Sequence, residues 1–276
     1  MNLKFLGTGA SEGIPAVFCH CSVCEYARKN KGKNIRTRSQ AIVDNRLLID
    51  FGPDSLNHSH ENDINFADIQ NCLITHCHSD HLYAEDLRAR RRSRANLKDG
   101  TQPLYIYGGI GVEKTLLPDA DGRITKDGNV IFRRIEKFKK YKIDQYEIIP
   151  LPAIHSTEDP YVFFIKSENG NLLYAHDSDI LEEESFHFLN GIGANFDCVS
   201  LDCTEGAKHI DYIGHMNYEK LLKMRNKLYS WGLIREETIV IANHFSHNGL
   251  VNYEDSLKWG ELNDILISYD GMEVSF

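Results

Sequence analysis

The amino-acid sequence predicts an α/β protein in which two mixed β-sheets are covered by helices on their outer sides. Three observations predict it. Short extended apolar runs alternate with helical patterns from one end of the 276 residues to the other. Turn dipeptides tolerant of positive φ sit between several of the extended runs. No Pro/Ser-rich linker, repeat or low-complexity tract breaks the pattern, so residues 1–276 read as one domain.

Taken in order, the β-rich runs of the first half are Asn2 to Leu6, Gln40 to Asp44, Leu47 to Asp50, Asn71 to Thr75, Leu104 to Tyr107, Val130 to Ile135 and Tyr146 to Leu151. The second half adds Tyr161 to Ser167, Asn171 to Ala175, Asp197 to Leu201, Thr238 to Ala242, Asp264 to Ser268 and Met272 to Val274. Asp44-Asn45, Asn169-Gly170 and Asp270-Gly271 each predict adjacent antiparallel strands. Polar and apolar residues at helical spacing predict helices over Ser22 to Lys31, Ala84 to Leu97, Val112 to Leu116, Ile180 to Leu189, Tyr218 to Tyr229 and Tyr253 to Trp259.

Composition narrows the function classes. The longest apolar runs, such as Tyr161 to Ile165 and Thr238 to Ala242, fall far short of a membrane helix. Met1 to Leu6 has no basic region followed by an apolar stretch, so the expectation is a cytoplasmic protein without a membrane partner. Thirty-one basic against forty acidic side chains give a net charge of −9, which argues against nucleic acid as a partner. Seven cysteines is an odd number, and in a reducing compartment thiols serve as metal ligands or core fillers more often than as disulfides.

The strongest chemical signal is Thr75-His76-Cys77-His78-Ser79-Asp80-His81, which follows an apolar strand and precedes a helical stretch. In extended backbone, residues i and i+2 face one side, so His76 and His78 can converge on one metal ion. Asp80 and His81, at the turn, can serve a second ion close by. Packing gives no reason for this density of imidazole and carboxylate.

The segment resembles the signature of the metallo-β-lactamase superfamily. The resemblance implies an αββα sandwich and further ligands spaced along the chain. Asp50, ending Leu47-Leu48-Ile49-Asp50, resembles the acidic residue that orients a ligand from behind. By the same resemblance His76, His78 and His155 hold one ion, Asp80, His81 and His244 hold the other, and Asp177 bridges them.

A second cluster, Cys19-His20-Cys21-Ser22-Val23-Cys24, has zinc-ligand spacing at Cys21 and Cys24, with Cys19 as a third thiolate. A closed tetrahedral site needs one more ligand, for which His247 is preferred and His20 is the local rival. A redox CxxC and plain structural cysteines are the alternatives. The glycines of Gly7-Thr8-Gly9 do not meet dinucleotide-binding spacing, because Pro15 intervenes and no helix opens at Gly13. Together with the cysteine cluster, the HxHxDH segment and Asn243-His244-Phe245-Ser246-His247, that loop is similar to the PhnP branch of cyclic-phosphate phosphodiesterases. That branch implies a structural zinc on Cys19, Cys21, Cys24 and His247.

His215, in Gly214-His215-Met216-Asn217, resembles the histidine that assists the leaving group in the phosphodiesterase branches. The basic run Arg88 to Lys98 reads as a solvated helix face, with a phosphate anchor from one of its arginines left open. Cys72, Cys77, Cys198 and Cys203 read as buried thiols and His58, His60, His187 and His209 as surface residues, while His176 should point away from Asp177. The expected activity is therefore that of a phosphoric diester hydrolase with two divalent ions, manganese or zinc, plus one structural zinc. It would act on small phosphodiesters, cyclic ones included, through a bridging hydroxide, with Asp80 and His215 as its catalytic side chains. Competing readings are a tRNase Z-like nuclease, a lactonase or thioesterase of the same fold, and a PqqB-like binding protein. A homodimer is compatible with the sequence.

Overall fold

Fourteen strands and seven α-helices are described in a computed structural model, over residues 1–117, 124–209 and 213–276. The order is β1 (Asn2–Gly7), α1 (Ser22–Asn30), β2 (Gln40–Val43), β3 (Leu47–Ile49), α2 (Ser55–Glu61), β4 (Asn71–Leu73), α3 (Ala84–Leu87), β5 (Leu104–Gly108), α4 (Ile110–Leu116) and β6 (Val130–Arg134). It continues with β7 (Tyr141–Ile143), β8 (Tyr146–Pro152), β9 (Tyr161–Ser167), β10 (Gly170–Ala175), α5 (Glu183–Gly191), β11 (Cys198–Asp202), α6 (Tyr218–Ser230), β12 (Ile239–Asn243), α7 (Tyr253–Asn263), β13 (Leu266–Ile267) and β14 (Glu273–Ser275).

The strands form two seven-stranded sheets, ordered β14-β1-β2-β3-β4-β5-β6 and β13-β12-β11-β10-β9-β8-β7. Both are mixed in the same way. The β14-β1-β2-β3 and β7-β8-β9-β10 ladders are antiparallel, whereas β3-β4-β5-β6 and β10-β11-β12-β13 are parallel.

Period-two alternation explains the layers. Leu3, Phe5, Leu47, Ile49, Ile148 and Tyr174 point into a core between the sheets. Their neighbours Leu6 and Leu48 point outward against Leu87, Val112 and Leu116. On the other sheet Ile149, Leu173 and Ala175 point outward against Phe186, Leu189, Leu221 and Leu228 of α5 and α6. The result is the αββα sandwich that the resemblance implies, helix on sheet on sheet on helix.

Several expectations need correction. Asp270-Gly271 does not join an antiparallel pair, because β13 lies beside β12 in one sheet and β14 beside β1 in the other. The helix expected over Ala84 to Leu97 ends at Leu87, followed by a 3-10 turn over Arg88–Arg90. Its arginines would crowd like charges along one helix, and Arg90 instead turns in. Arg90 is buried, donating to the carbonyls of Phe66, Ala67 and Gln102 at 3.1 Å each, so the run is not a uniformly solvated face. Strand β7 and helix α2 were not expected. The first is a three-residue edge strand among lysines, and the second, Ser-Leu-Asn-His-Ser-His-Glu, has almost no apolar residue to mark it. His58 on α2 is buried rather than on the surface, and Cys77 is half-buried.

Candidate metal centres

Parallel strands gather their carboxyl ends along one crevice, where ligands are most easily built from the loops that follow. Asp50 follows β3, the His76–His81 segment follows β4, His155 follows β8, and Asp177 and His244 follow β10 and β12. Asp50, Asp177 and His244 have φ of 66°, 49° and 65°, so the chain turns sharply as it leaves each strand.

The imidazoles of His76, His78 and His155 converge. His78 Nδ1 lies 3.0 Å from His76 Nε2 and 3.1 Å from His155 Nε2. Asp80, His81 and His244 form a second group whose ligating atoms lie within 4.8 Å of one another. Asp177 faces both groups. Its Oδ1 is 3.7 Å from His155 Nε2, and its Oδ2 is 3.0 Å from His81 Nε2 and 2.9 Å from His244 Nε2. Among the described residues, His81 Nε2, Asp177 Oδ2 and His244 Nε2 are nevertheless buried without a hydrogen-bond partner, the state expected of atoms aimed at a cation rather than at each other.

The supporting contacts come from behind. Asp50 accepts from His81 Nδ1 at 2.7 Å, from the Thr75 N–H at 2.8 Å and from the Thr75 hydroxyl at 2.9 Å, and Thr75 Oγ1 in turn meets His76 Nδ1 at 3.0 Å. His244 Nδ1 meets Thr204 Oγ1 at 2.8 Å. Burial pushes the His81 pKa down, but Asp177, Asp80 and Asp50 outweigh it and hold the value well above the ordinary one. Burial likewise opposes ionisation of Asp177, and His244 and His81 reverse it.

The thiol cluster is also assembled. Cys19 Sγ and Cys21 Sγ lie 3.5 Å and 3.6 Å from His247 Nδ1. A tetrahedral zinc with usual bond lengths would separate sulfur and nitrogen by about 3.6 Å, so the donor set fits. Cys24 completes the group, and its sulfur accepts from the Ala16 N–H at 3.3 Å. His20, the rival, is turned to solvent and pairs with Glu25 at 2.8 Å. Cys21 caps α1, where its sulfur accepts from Cys24 N. Burial works to raise its pKa, yet the Cys24 N–H, Cys19 and His247 bring it down to about 7.

The Beta-lactamase superfamily domain matches residues 45–237. The chain belongs to the metallo-β-lactamase superfamily. A ribonuclease Z of Enterococcus faecalis is 30% identical over 148 residues, which cover 48% of this chain and 41% of that protein. The matches span less than half the length of each such curated relative. Among solved structures, a diphosphatase from the PhnP family is 22% identical at a TM-score of 0.74, covering 100% of this chain and 96% of the other. Zn(2+)-bound PqqB from Methylobacterium extorquens is 18% identical at a TM-score of 0.76, covering 100% of both chains. At such identities the two structures speak for the superfamily fold alone.

Within that fold, the sequence-based reading missed Asp202. It is fully buried at the end of β11 and accepts from the N–H groups of Asp177, Thr204 and Met216 at 3.1, 3.0 and 2.8 Å. Its Oδ2 also meets His215 Nδ1 at 3.1 Å. The available signal was an apolar strand ending on aspartate, Cys198-Val199-Ser200-Leu201-Asp202, much as Asp50 directly follows the apolar Leu47-Leu48-Ile49 of β3. Burial disfavours a charged His215, but Asp202 outweighs it and raises the pKa to about 9. His215 itself lines the cleft, beside His155 and stacked on His244 with ring centroids 5.0 and 5.9 Å away. His176 turns into the core between the sheets, 2.7 Å from Ser200 Oγ and 3.1 Å from Asn243 Nδ2. None of Arg88 to Arg94 lines the cleft.

Proposed function

We propose that the protein is a dinuclear metal-dependent hydrolase of small phosphodiesters. The observation that carries this reading is Asp177, a single carboxylate with one oxygen toward each of two ligand groups at one cleft. His76, His78 and His155 would hold one divalent ion, and Asp80, His81 and His244 the other. Bound there, such ions supply acidification of water and neutralisation of charge on phosphoryl oxygens. Zinc and manganese both suit histidine and carboxylate donors, whereas Cys19, Cys21, Cys24 and His247 suit a structural zinc. Thiolate ligands also fit a reducing compartment such as the cytoplasm.

The chain's own residues do the remaining work. Asp50 holds His81 in one orientation, and through Thr75 it holds His76. His215 donates a proton to the departing alkoxide oxygen. Asp202 orients the His215 ring and stabilises its charged form. The cleft, about 230 Å³, has room for a small diester.

The nuclease reading is favoured by the ribonuclease Z relative. It is disfavoured by the charge of −9 and by a cleft with no lysine or arginine among its described lining residues. The test is turnover of bis(p-nitrophenyl) phosphate by protein replete with manganese or zinc, beside an RNA oligonucleotide, a lactone and a thioester. Diester hydrolysis should lead and should vanish in Asp80→Ala. No diester turnover, or full turnover by that variant, would sink the proposal.

A further inference from the structure

Helix α6 breaks a local rule at its start. Asn217 caps it, its side-chain oxygen accepting from Lys220 N at 2.9 Å. The first turn of a helix favours an acidic side chain, because its free N–H groups leave that end positive. Lys220 stands there instead, three residues after the cap. Nor is it a solvated lysine, since only 19% of its side chain is exposed. A cation held half-buried at the positive end of a helix calls for compensating contacts, and the structure supplies one from each of two loops.

The first is Asp179, whose Oδ2 lies 2.5 Å from Lys220 Nζ and whose side chain is 11% exposed. Asp179 stands just beyond the bridging Asp177, in a loop laced to the one that carries His155. Asp179 N donates to Ile154 O at 3.2 Å, and Ile154 N donates to Ser178 Oγ at 3.0 Å. Asp179 Oδ1 accepts from Ile180 N at 2.8 Å. The carboxylate is therefore fixed to the frame that holds the proposed ligands. The second contact is the carbonyl oxygen of His215, 3.4 Å from Lys220 Nζ.

His215 has need of such a hold. Asp202 and Thr204 meet its ring at one atom, Nδ1, at 3.1 and 3.2 Å, and a ring pinned at one nitrogen can still swing at the other. The chain enters through Gly214, whose φ of 133° is a conformation that favours glycine, so the backbone on that side restrains the ring little. We infer that Lys220, paired with Asp179, is a positioning residue for His215. The pair fastens the turn that carries His215 to the loop that carries Asp177, and so sets the imidazole against the place where the phosphoryl group lies. That His215 gives up a proton there rests on the hydrolase reading above.

The test is kinetic, on metal-replete protein with diphenyl phosphate, whose phenolate leaving group gains from a proton. Removing Lys220 alone would strand the Asp179 charge. The variant is therefore Lys220→Met with Asp179→Asn, which leaves no charge unpaired and keeps an acceptor for Ile180 N. Its kcat should fall about 10- to 100-fold with KM little changed, the scale of a small misplacement of a reacting group. Lys220→Arg, which keeps the charge and can reach both acceptors, should retain most of the activity. In a His215→Ala background the same two substitutions should alter kcat by less than about twofold, because the group they position is gone. A loss of full size in that background, or no loss without it, overturns the inference and leaves the hydrolase reading standing. Amide exchange gives a readout without turnover. The Met216 N–H, which donates to Asp202 Oδ1 at 2.8 Å, should exchange about tenfold faster or more in the double variant, with β11 and β12 unchanged. If the wild type hydrolyses no diester, the hydrolase reading falls and exchange decides alone: faster exchange confined to that turn supports the fastening, and an unchanged rate overturns it.

Discussion

Asp50, Asp177 and His244 adopt a backbone conformation that costs an ordinary side chain about 1–2 kcal/mol each. Such strain persists only where the surroundings hold it, and here it turns three side chains toward one cleft just beyond the strands. Asp50 shows what the holding does. Its carboxylate takes the Thr75 N–H, the Thr75 hydroxyl and His81 Nδ1, so it sets two imidazoles without lining the cleft. Asp50→Asn tolerates the same backbone and keeps one oxygen acceptor, but it loses the charge and the second acceptor. Metal titration should find the affinity of the cleft lowered about 10- to 100-fold with circular dichroism unchanged. Asp202→Asn should act on chemistry instead. It leaves His215 without its carboxylate, so kcat should fall about 100-fold or more while KM changes little. The loss should be larger for an alkyl diester than for a p-nitrophenyl one, whose leaving group needs no proton. An equal loss on both would assign Asp202 a structural role only.

At the scale of elements, the strands other than β7 were legible because alternation of apolar residues on both faces is a strong signal, as in Leu47-Leu48-Ile49, which feeds the core between the sheets and the outer core at once. The candidate ligands after β4 stand out in the sequence because their spacing is dense, whereas Asp202 stands alone in sequence and acquires its partners only by folding. Helix α2 was illegible for a related reason: its anchor is polar. His58 Nδ1 donates to Gln40 Oε1 at 2.6 Å, and His58 Nε2 meets the Thr37 hydroxyl at 2.7 Å. No periodicity announces such a tether. It carries a pH signature. Burial lowers the His58 pKa to about 4, against an opposing pull from Asp54, while the unfolded chain keeps the ordinary 6.5. As pH falls, the unfolded state takes up the proton first. The stability His58 contributes is complete above 6.5, is lost between 6.5 and 4, and amounts to about 3 kcal/mol at most. Urea midpoints at neutral pH and near pH 4.5, for wild type and His58→Gln, isolate it from other titrations. A variant with the same pH slope as wild type would contradict the assignment. The loop before α1 offers a second element-scale test. Cys21→Ser should remove one tightly held zinc equivalent and lower Tm, with the strand signal retained; a full zinc complement in that variant would exclude the thiol centre.

Across the whole molecule, the cleft is shared between the sheets. Loops after β3 and β4 bring Asp50, His76, His78, Asp80 and His81 from one, and loops after β8, β10 and β12 bring His155, Asp177 and His244 from the other. Ions held there would tie two sheets whose main adhesion is otherwise apolar. That adhesion is substantial: Leu3, Phe5, Ile49, Leu73, Ile148, Phe163, Ile165 and Tyr174 between the sheets are fully buried. The two contributions can be separated. An ion present at about a thousand times its Kd stabilises by about 4 kcal/mol, which in a chain of this size corresponds to about 10 °C in Tm. Chelation should therefore lower Tm by about that much per tightly bound ion and abolish hydrolysis, while leaving the far-ultraviolet strand signal in place. The effect should reverse on adding manganese or zinc. The thiol centre, with softer ligands, should release its zinc only to a stronger chelator or a thiol-modifying reagent, in a second and separable step. If the first chelation step already erases the strand signal, the ions rather than the apolar core hold the sheets together, because a core that closes by itself would keep its strands paired after the ions leave.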